Sequence, residues 1–217
     1  MIIQKIRVKE ATMEQYNNAQ LPGEKGLLLV ELARQTIARR LGLCRDISPE
    51  LAEKLEDEAF DVKRGTFVTL TIDHQLRGCI GNLTPDTPIR DGVRDNAINA
   101  AFNDPRFSPL TPAELESVQV EISLLTEPIQ LEYQGPEDLL AKLTAGVDGV
   151  IIRKGPHNAT FLPQVWDQLP DKEAFLGHLC LKAGLPADEW KKGDLAVYTY
   201  QVQYFEDSTC GLVSKAS

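Results

Sequence analysis

The segment Gln75-Leu76-Arg77-Gly78-Cys79-Ile80-Gly81 gathers a cation, a thiol and two glycines within seven residues. Alternation along an extended chain sends Arg77 and Cys79 to one face and Leu76, Gly78 and Ile80 to the other. Residues two apart on a strand are separated by roughly 6.5 to 7 Å, so the guanidinium reaches the thiol's surroundings. A neighbouring cation favours thiolate over thiol, the form in which cysteine is a nucleophile. Gly78 and Gly81 remove side chains from the same stretch and let a ligand or another backbone approach. The alternative is plain packing, with Cys79 a small buried hydrophobe and Arg77 paired to a carboxylate.

Downstream, Asn103-Asp104-Pro105-Arg106-Phe107-Ser108-Pro109 holds Asp104 near a helix C-terminus, where negative charge is unfavourable unless paired. Arg106, two residues on, is the natural partner. The two read either as a structural clamp or as a site carboxylate beside an anion-binding arginine. Asn96, Asn99 and Asn103 recur at i, i+3 and i+7, a polar stripe that serves a neighbouring loop or a polar ligand. Gln164 lies in the apolar run Phe161 to Trp166, where its amide needs partners or a surface.

Together these residues sketch a cysteine-dependent site. Cys79 is the nucleophile, Asp104 the acid–base group, and Arg77 and Arg106 the holders of an anionic group. Gly78 and Gly81 let substrate approach, while Asn96 or Gln164 orients it. The sequence assigns no general base to Cys79; His74 and His157 are the candidates. His157 falls on a turn after Gly155-Pro156, and His178 beside Cys180 reads as packing. A non-catalytic binding or scaffold module is the competing reading, distinguished by a flat apolar surface instead of a polar cleft.

The elements that position these residues follow from periodicity. Leu29, Ala33, Ile37 and Leu41 recur every four residues with Gly42 at the C′ position, predicting a helix over 24–41. Ser48-Pro49 starts a short acidic helix through about residue 59. Val68, Leu70 and Ile72 alternate with Phe67, Thr69 and Thr71, and Asp73-His74 suits a turn into a strand over 75–81. Thr87-Pro88 opens a helix with Ile89, Val93, Ala97, Ala100 and Ala101 on its apolar side. Thr111-Pro112-Ala113-Glu114 has the form of a capping box. Further strands are predicted at 118–125, 147–153 and 195–204, the last with Ala196, Tyr198, Tyr200, Val202 and Tyr204 on one face. Helices are predicted from Pro136 and from about Asp171 to Ala183. Neighbouring strands with interspersed helices predict an α+β fold, a mostly antiparallel sheet flanked by helices in one domain over 1–217. That sheet is expected to contain 66–72, 118–125 and 195–204. No Gly-x-Gly-x-x-Gly follows a strand, which argues against a dinucleotide fold.

Composition narrows the partners. A net charge of −9 disfavours nucleic acid, although residues 1–45 carry eight basic and four acidic side chains. Residues 76–106 hold four arginines and four aspartates and are locally neutral. Without a long apolar run or a secretory signal pattern, a cytoplasmic location away from membranes is expected. Cysteines at 44, 79, 180 and 210 with three histidines match neither a metal site nor a disulfide scaffold, so no metal is expected. Nothing in the sequence points to a particular cofactor.

Leu76-Arg77-Gly78-Cys79-Ile80-Gly81 resembles the signature of the AMMECR domain family. The similarity continues in Asn96-Ala97, Ala100-Ala101-Phe102, Asp104-Pro105-Arg106-Phe107, Glu121-Ile122-Ser123, Phe161-Leu162-Pro163-Gln164-Val165 and Leu179 to Leu185. These blocks keep the family's order over roughly residues 25 to 205 and leave residues 1–20 and the tail after Phe205 unmatched. The resemblance implies a larger lobe built from both chain ends, a smaller inserted lobe, and signature residues lining a cleft between them. It implies no named reaction. It does suggest a shared process with Memo-like and radical SAM proteins, and the arginines suggest a small anionic molecule as ligand.

Overall fold

Helix α1 (Gly23–Arg40) forms on the four-residue repeat, with Leu29, Ala33 and Ile37 fully buried and Gly42 left-handed (φ 77°) just past its end. The chain is seen here in a computed structural model that describes residues 20–207; Cys210 and nearly all of the unmatched first twenty residues lie outside this range. The elements after α1 are α2 (Pro49–Lys54), β1 (Thr66–Ile72), β2 (Gln75–Asn82), α3 (Ile89–Phe102) and β3 (Gln119–Leu125). There follow β4 (Ile129–Gln130), α4 (Pro136–Lys142), β5 (Gly149–Lys154), β6 (His157–Phe161), α5 (Lys172–Lys182), β7 (Ala196–Tyr200) and β8 (Val202–Glu206). The fold is α+β, and the described residues fall in two units: Leu21–Leu124 with residues 203–207, and Leu125–Val202.

In the first unit a four-stranded sheet runs β2-β1-β3-β8, with β1 antiparallel to both β2 and β3. Asp73 and His74 both take positive φ, so the β1–β2 connection is a two-residue turn whose twist matches the strands. Val68, Leu70, Val120 and Ile122 share one sheet face and join one buried core with Leu29, Ile37, Val93 and Ala97 of the helices. The second unit has a sheet in the order β4-β7-β5-β6, all pairings antiparallel. Val150, Ile152 and Val197 pack there with Leu176, Leu179 and the stacked rings of Trp166 and Phe175. Cys180 belongs to that core, whereas His178 is exposed and does not pack as expected.

The expected strand over 195–204 is two strands in two different sheets. The break falls at Gln201, whose N–H donates to Thr126 Oγ1 (2.9 Å) and whose carbonyl accepts from Thr126 N–H (2.9 Å). The alternation slips there too: Tyr200 and Phe205 are buried while Tyr204 is exposed, so the five expected residues do not all share one face. The helix from Ser48 stops at Lys54, and only a 3₁₀ turn at Glu58–Phe60 follows. Thr111-Pro112-Ala113-Glu114 makes half of the expected box: Glu114 accepts from Thr111 N–H and Oγ1 (both 2.8 Å), while the Glu114 N–H donates to the Thr111 carbonyl and not to its hydroxyl. Yet it leads into turns, not a helix, before β3 begins at Gln119.

The signature glycines are consumed by backbone packing. A Cβ on Gly78 would lie 2.2 Å from the carbonyl oxygen of Ala100 on α3, and one on Gly81 2.2 Å from the Phe67 ring. The strand and helix therefore meet directly at Gly78, leaving no ligand space on that side. Gly78→Ala should lower stability by about 1–3 kcal/mol. Gly23→Ala, with open space around its Cβ, should stay within about 0.5 kcal/mol of the wild type. Urea unfolding of both variants checks this, and equal midpoints would contradict it.

Candidate functional site

Strand β2 lies at the edge of its sheet, and at Cys79 two side chains close that edge. Asp104 Oδ2 accepts the Cys79 N–H at 2.9 Å, and Arg106 Nη2 donates to the Cys79 carbonyl at 3.2 Å. Asp104 and Arg106 are joined by Nε–Oδ1 (2.9 Å) and Nη2–Oδ2 (2.7 Å), and Oδ1 also accepts the Arg106 N–H (3.1 Å). Asp104 follows α3, where α3's carbonyl ends disfavour it, so these donors supply the compensation that its position demands. Its side chain is 1% exposed while that of Arg106 is 53% exposed. The Arg106 guanidinium, with the Cys79 and Arg106 N–H groups, holds the Asp104 carboxyl far below the usual carboxylate range. Both oxygens are thus occupied, and these partners disfavour protonation of Asp104, the residue expected to act as the acid–base group.

Arg77 departs from the period-two expectation. Leu70 pairs with Gly78 and Thr71 with Leu76, which leaves Arg77 as the extra residue of a β-bulge. Its guanidinium is turned to Glu114 (Nε–Oε1 2.8 Å, Nη2–Oε2 3.3 Å) and to the Ser108 carbonyl (2.9 Å). Its Nη1 is buried without a hydrogen-bond partner. Arg77 and the Thr111 donors push the Glu114 carboxyl down to about 2. Arg77 and Arg106 nonetheless converge, both on the Phe107 ring at 5.9 and 5.5 Å from its centroid. The cation that acts on the thiol is Arg106, not Arg77.

Thr69, opposite Cys79 on β1, donates its hydroxyl to the sulfur at 3.3 Å. Burial pushes the Cys79 thiol above its ordinary value; Thr69 and Arg106 pull the other way without prevailing, and Glu121 and Asp104 add to the rise. Desolvation thus opposes the thiolate that a neighbouring cation is expected to favour. Thr69 also pairs with Glu121 on β3, so Cys79, Thr69 and Glu121 form one row across three strands, on the face opposite the apolar core. Ser123 Oγ donates to Glu121 Oε1 at 3.4 Å. Sequence reasoning missed Thr69, Glu114 and Glu121. The alternation of β1 and β3 put Thr69 and Glu121 on their polar faces, but their shared row needs the register.

Asn96 is spent on structure. Its buried Nδ2 reaches Thr66 O (3.0 Å), Thr66 Oγ1 (2.8 Å) and Asn82 Oδ1 (3.0 Å), fastening α3 to β1 and β2. Asn103 Nδ2 donates to Asn99 Oδ1 (2.8 Å), so the stripe makes hydrogen bonds to itself and to strands. Gln164 belongs to the other unit, on the 3₁₀ turn Pro163–Asp167, with Oε1 buried and unpartnered. His157 opens β6 instead of lying in the turn, and its Nδ1 is 3.0 Å from the Ala183 carbonyl; His74 is exposed in the hairpin turn. Among the described residues no group of His, Cys, Asp and Glu could hold a metal ion, and no helix is long and apolar enough to cross a membrane.

Antiparallel sheets with a Leu-Arg-Gly-Cys-Ile-Gly edge strand, capped by Asp-Pro-Arg-Phe, define the α+β class that the signature implied. The AMMECR1 family model matches residues 30–205, and the chain belongs to this family. It is similar to a protein of Methanopyrus kandleri (40% identity over 192 residues, 85% of this chain and 89% of that one). A protein of Thermofilum pendens is 41% identical over 206 residues, 87% of this chain and 92% of that one. The crystal structure of an uncharacterised protein from Pyrococcus horikoshii superposes with a TM-score of 0.77 at 38% identity, covering 87% of this chain and 94% of that one.

At this site Asp104 and Glu114, both with depressed folded-state values, make stability depend on pH. Their contribution is present above the unfolded values near pH 4 and is lost as pH falls through the folded ones. For Glu114 that window runs from about 4.5 down to about 2. In urea unfolding, the wild-type midpoint should fall steeply across this window. Glu114→Gln should be less stable at pH 7 and flatter below 4.5; parallel curves would contradict the ion pair's role.

Proposed function

We propose that this AMMECR1-family chain is a binding component that receives a small anion at Arg106, with Cys79 a neutral thiol beside it. The observation that carries this reading is a guanidinium locked by a buried carboxylate yet more than half exposed. Asp104 and the Cys79 carbonyl occupy Nε and Nη2, which leaves the Nη1 edge for a carboxylate or phosphate oxygen. Rigidity reduces the ordering that binding would otherwise require. The Asp104 charge keeps affinity modest.

A cysteine-dependent enzyme is the second reading, favoured by one feature: Arg106 and Thr69 both act to lower the value of the Cys79 thiol. Desolvation and the absence of an assigned base weigh against it. The Memo-like and radical SAM proteins suggested by the family resemblance are the partners in whose process such a binding component would act.

Two measurements separate the readings. Titration with acetate and inorganic phosphate, followed by amide chemical shifts, should perturb Arg106 and Cys79 at millimolar concentration, and Arg106→Gln should remove the response. The rate of Cys79 alkylation against pH should report an apparent value above the ordinary 8.5 or so. No anion response would overturn the binding reading. A Cys79 value near 7, with faster labelling than Cys44, would restore the enzyme.

A further inference from the structure

Phe107 joins two ion pairs that share no residue. Glu114 and the Ser108 carbonyl hold Arg77, while Asp104 and the Cys79 carbonyl hold Arg106. Both guanidinium carbons lie over the Phe107 ring, 5.9 and 5.5 Å from its centroid, inside the roughly 6 Å over which a ring face attracts a cation. Arg77 needs that face. Its side chain is 15% exposed; Nε and Nη2 have oxygen acceptors, and Nη1 is buried with none. A buried donor without an acceptor is costly, and an aromatic face is a weak acceptor for an N–H. Arg106 uses the ring differently. Asp104 and Cys79 take Nε and Nη2, so they grip one edge of the guanidinium and leave its Nη1 corner to swing about that edge. A ring lying against the ion restrains the swing.

We infer that Phe107 is a positioning residue of the anion site: its ring face accepts the orphaned Nη1 of Arg77 and steadies the Arg106 guanidinium with its Nη1 edge turned out to the ligand. The inference rests on the anion reading of Arg106 and adds the residue that prepares Arg106 for binding. Holding a guanidinium still before the ligand arrives lowers the ordering cost of binding, so the ring raises affinity without touching the anion. The attraction is electrostatic and depends on electron density at the ring face, not on apolar bulk. Phe107 is half-buried and lies outside the buried core, so replacement at similar bulk spares the fold.

Amide-shift titration of the full chain with acetate and inorganic phosphate tests this in Phe107→Leu, in Phe107→Tyr and in a chain with ring-trifluorinated phenylalanine in place of Phe107. Fluorination keeps the shape of the ring and drains its face; leucine keeps the apolar bulk and removes the ring. Both changes should weaken anion binding by roughly two- to fivefold, the size of one partly exposed cation–π contact. Phe107→Tyr, which keeps the ring face, should stay within about twofold of the wild type. Unchanged affinity in the fluorinated chain would overturn the positioning role and leave the anion site standing, even where leucine weakens binding through lost packing. A loss in Phe107→Tyr as large as in Phe107→Leu would also overturn it. If the wild type binds neither anion, the anion reading itself fails and the positioning role with it.

Discussion

The carboxylate of Asp104 takes the N–H of Cys79, and the guanidinium that it holds returns a hydrogen bond to the Cys79 carbonyl. Two side chains thereby do what a further strand would do for the edge of β2. Edge strands present unpaired N–H and carbonyl groups that invite other chains, and capping by charged side chains is one way to close them. Most of what surrounds Cys79 depends on this contact. It fixes the turn after α3, sets Phe107 between two arginines, and brings Arg77 and Glu114 together on the same stretch.

The thiol's chemistry follows from the same packing. An isolated guanidinium near a cysteine stabilises the thiolate, but here Asp104 neutralises much of that charge and burial penalises the anion. The cluster is thus better at holding groups still than at generating a nucleophile. Asp104 is costly to lose, since removing one partner of a buried pair strands both the other charge and the donors that served it. Helix α3 packs on the strand as closely as Gly78 permits.

Much of the fold was legible in the sequence, for physical reasons that differ by element. Strand β1 was read at its observed bounds because every second residue is apolar and one face is core. Helix α1 carried both its repeat and its terminal glycine. The stretch at 195–204 was misread because an apolar and aromatic run looks the same whether it serves one sheet or two; the crossing at Gln201 is made by Thr126, far away in sequence. The site was half legible. The Asp104–Arg106 clamp was read from the sequence and is observed, but Arg77 was misplaced because no local pattern announces a bulge. Asn96 looked like a ligand-binding residue because its acceptors, Thr66 and Asn82, are supplied by other strands. Thr69 and Glu121 stayed anonymous until the register put them in line with Cys79.

Native-state hydrogen exchange at the Cys79 amide tests the central contact most directly. That N–H lies on an edge strand, so without Asp104 it would face no strand partner. The account predicts slow exchange at Cys79 in the wild type. In Asp104→Ala the Cys79 amide should exchange far faster, while the core amides of Val68 and Leu70 stay protected. Fast Cys79 exchange in the wild type, or protection undiminished in Asp104→Ala, would contradict it.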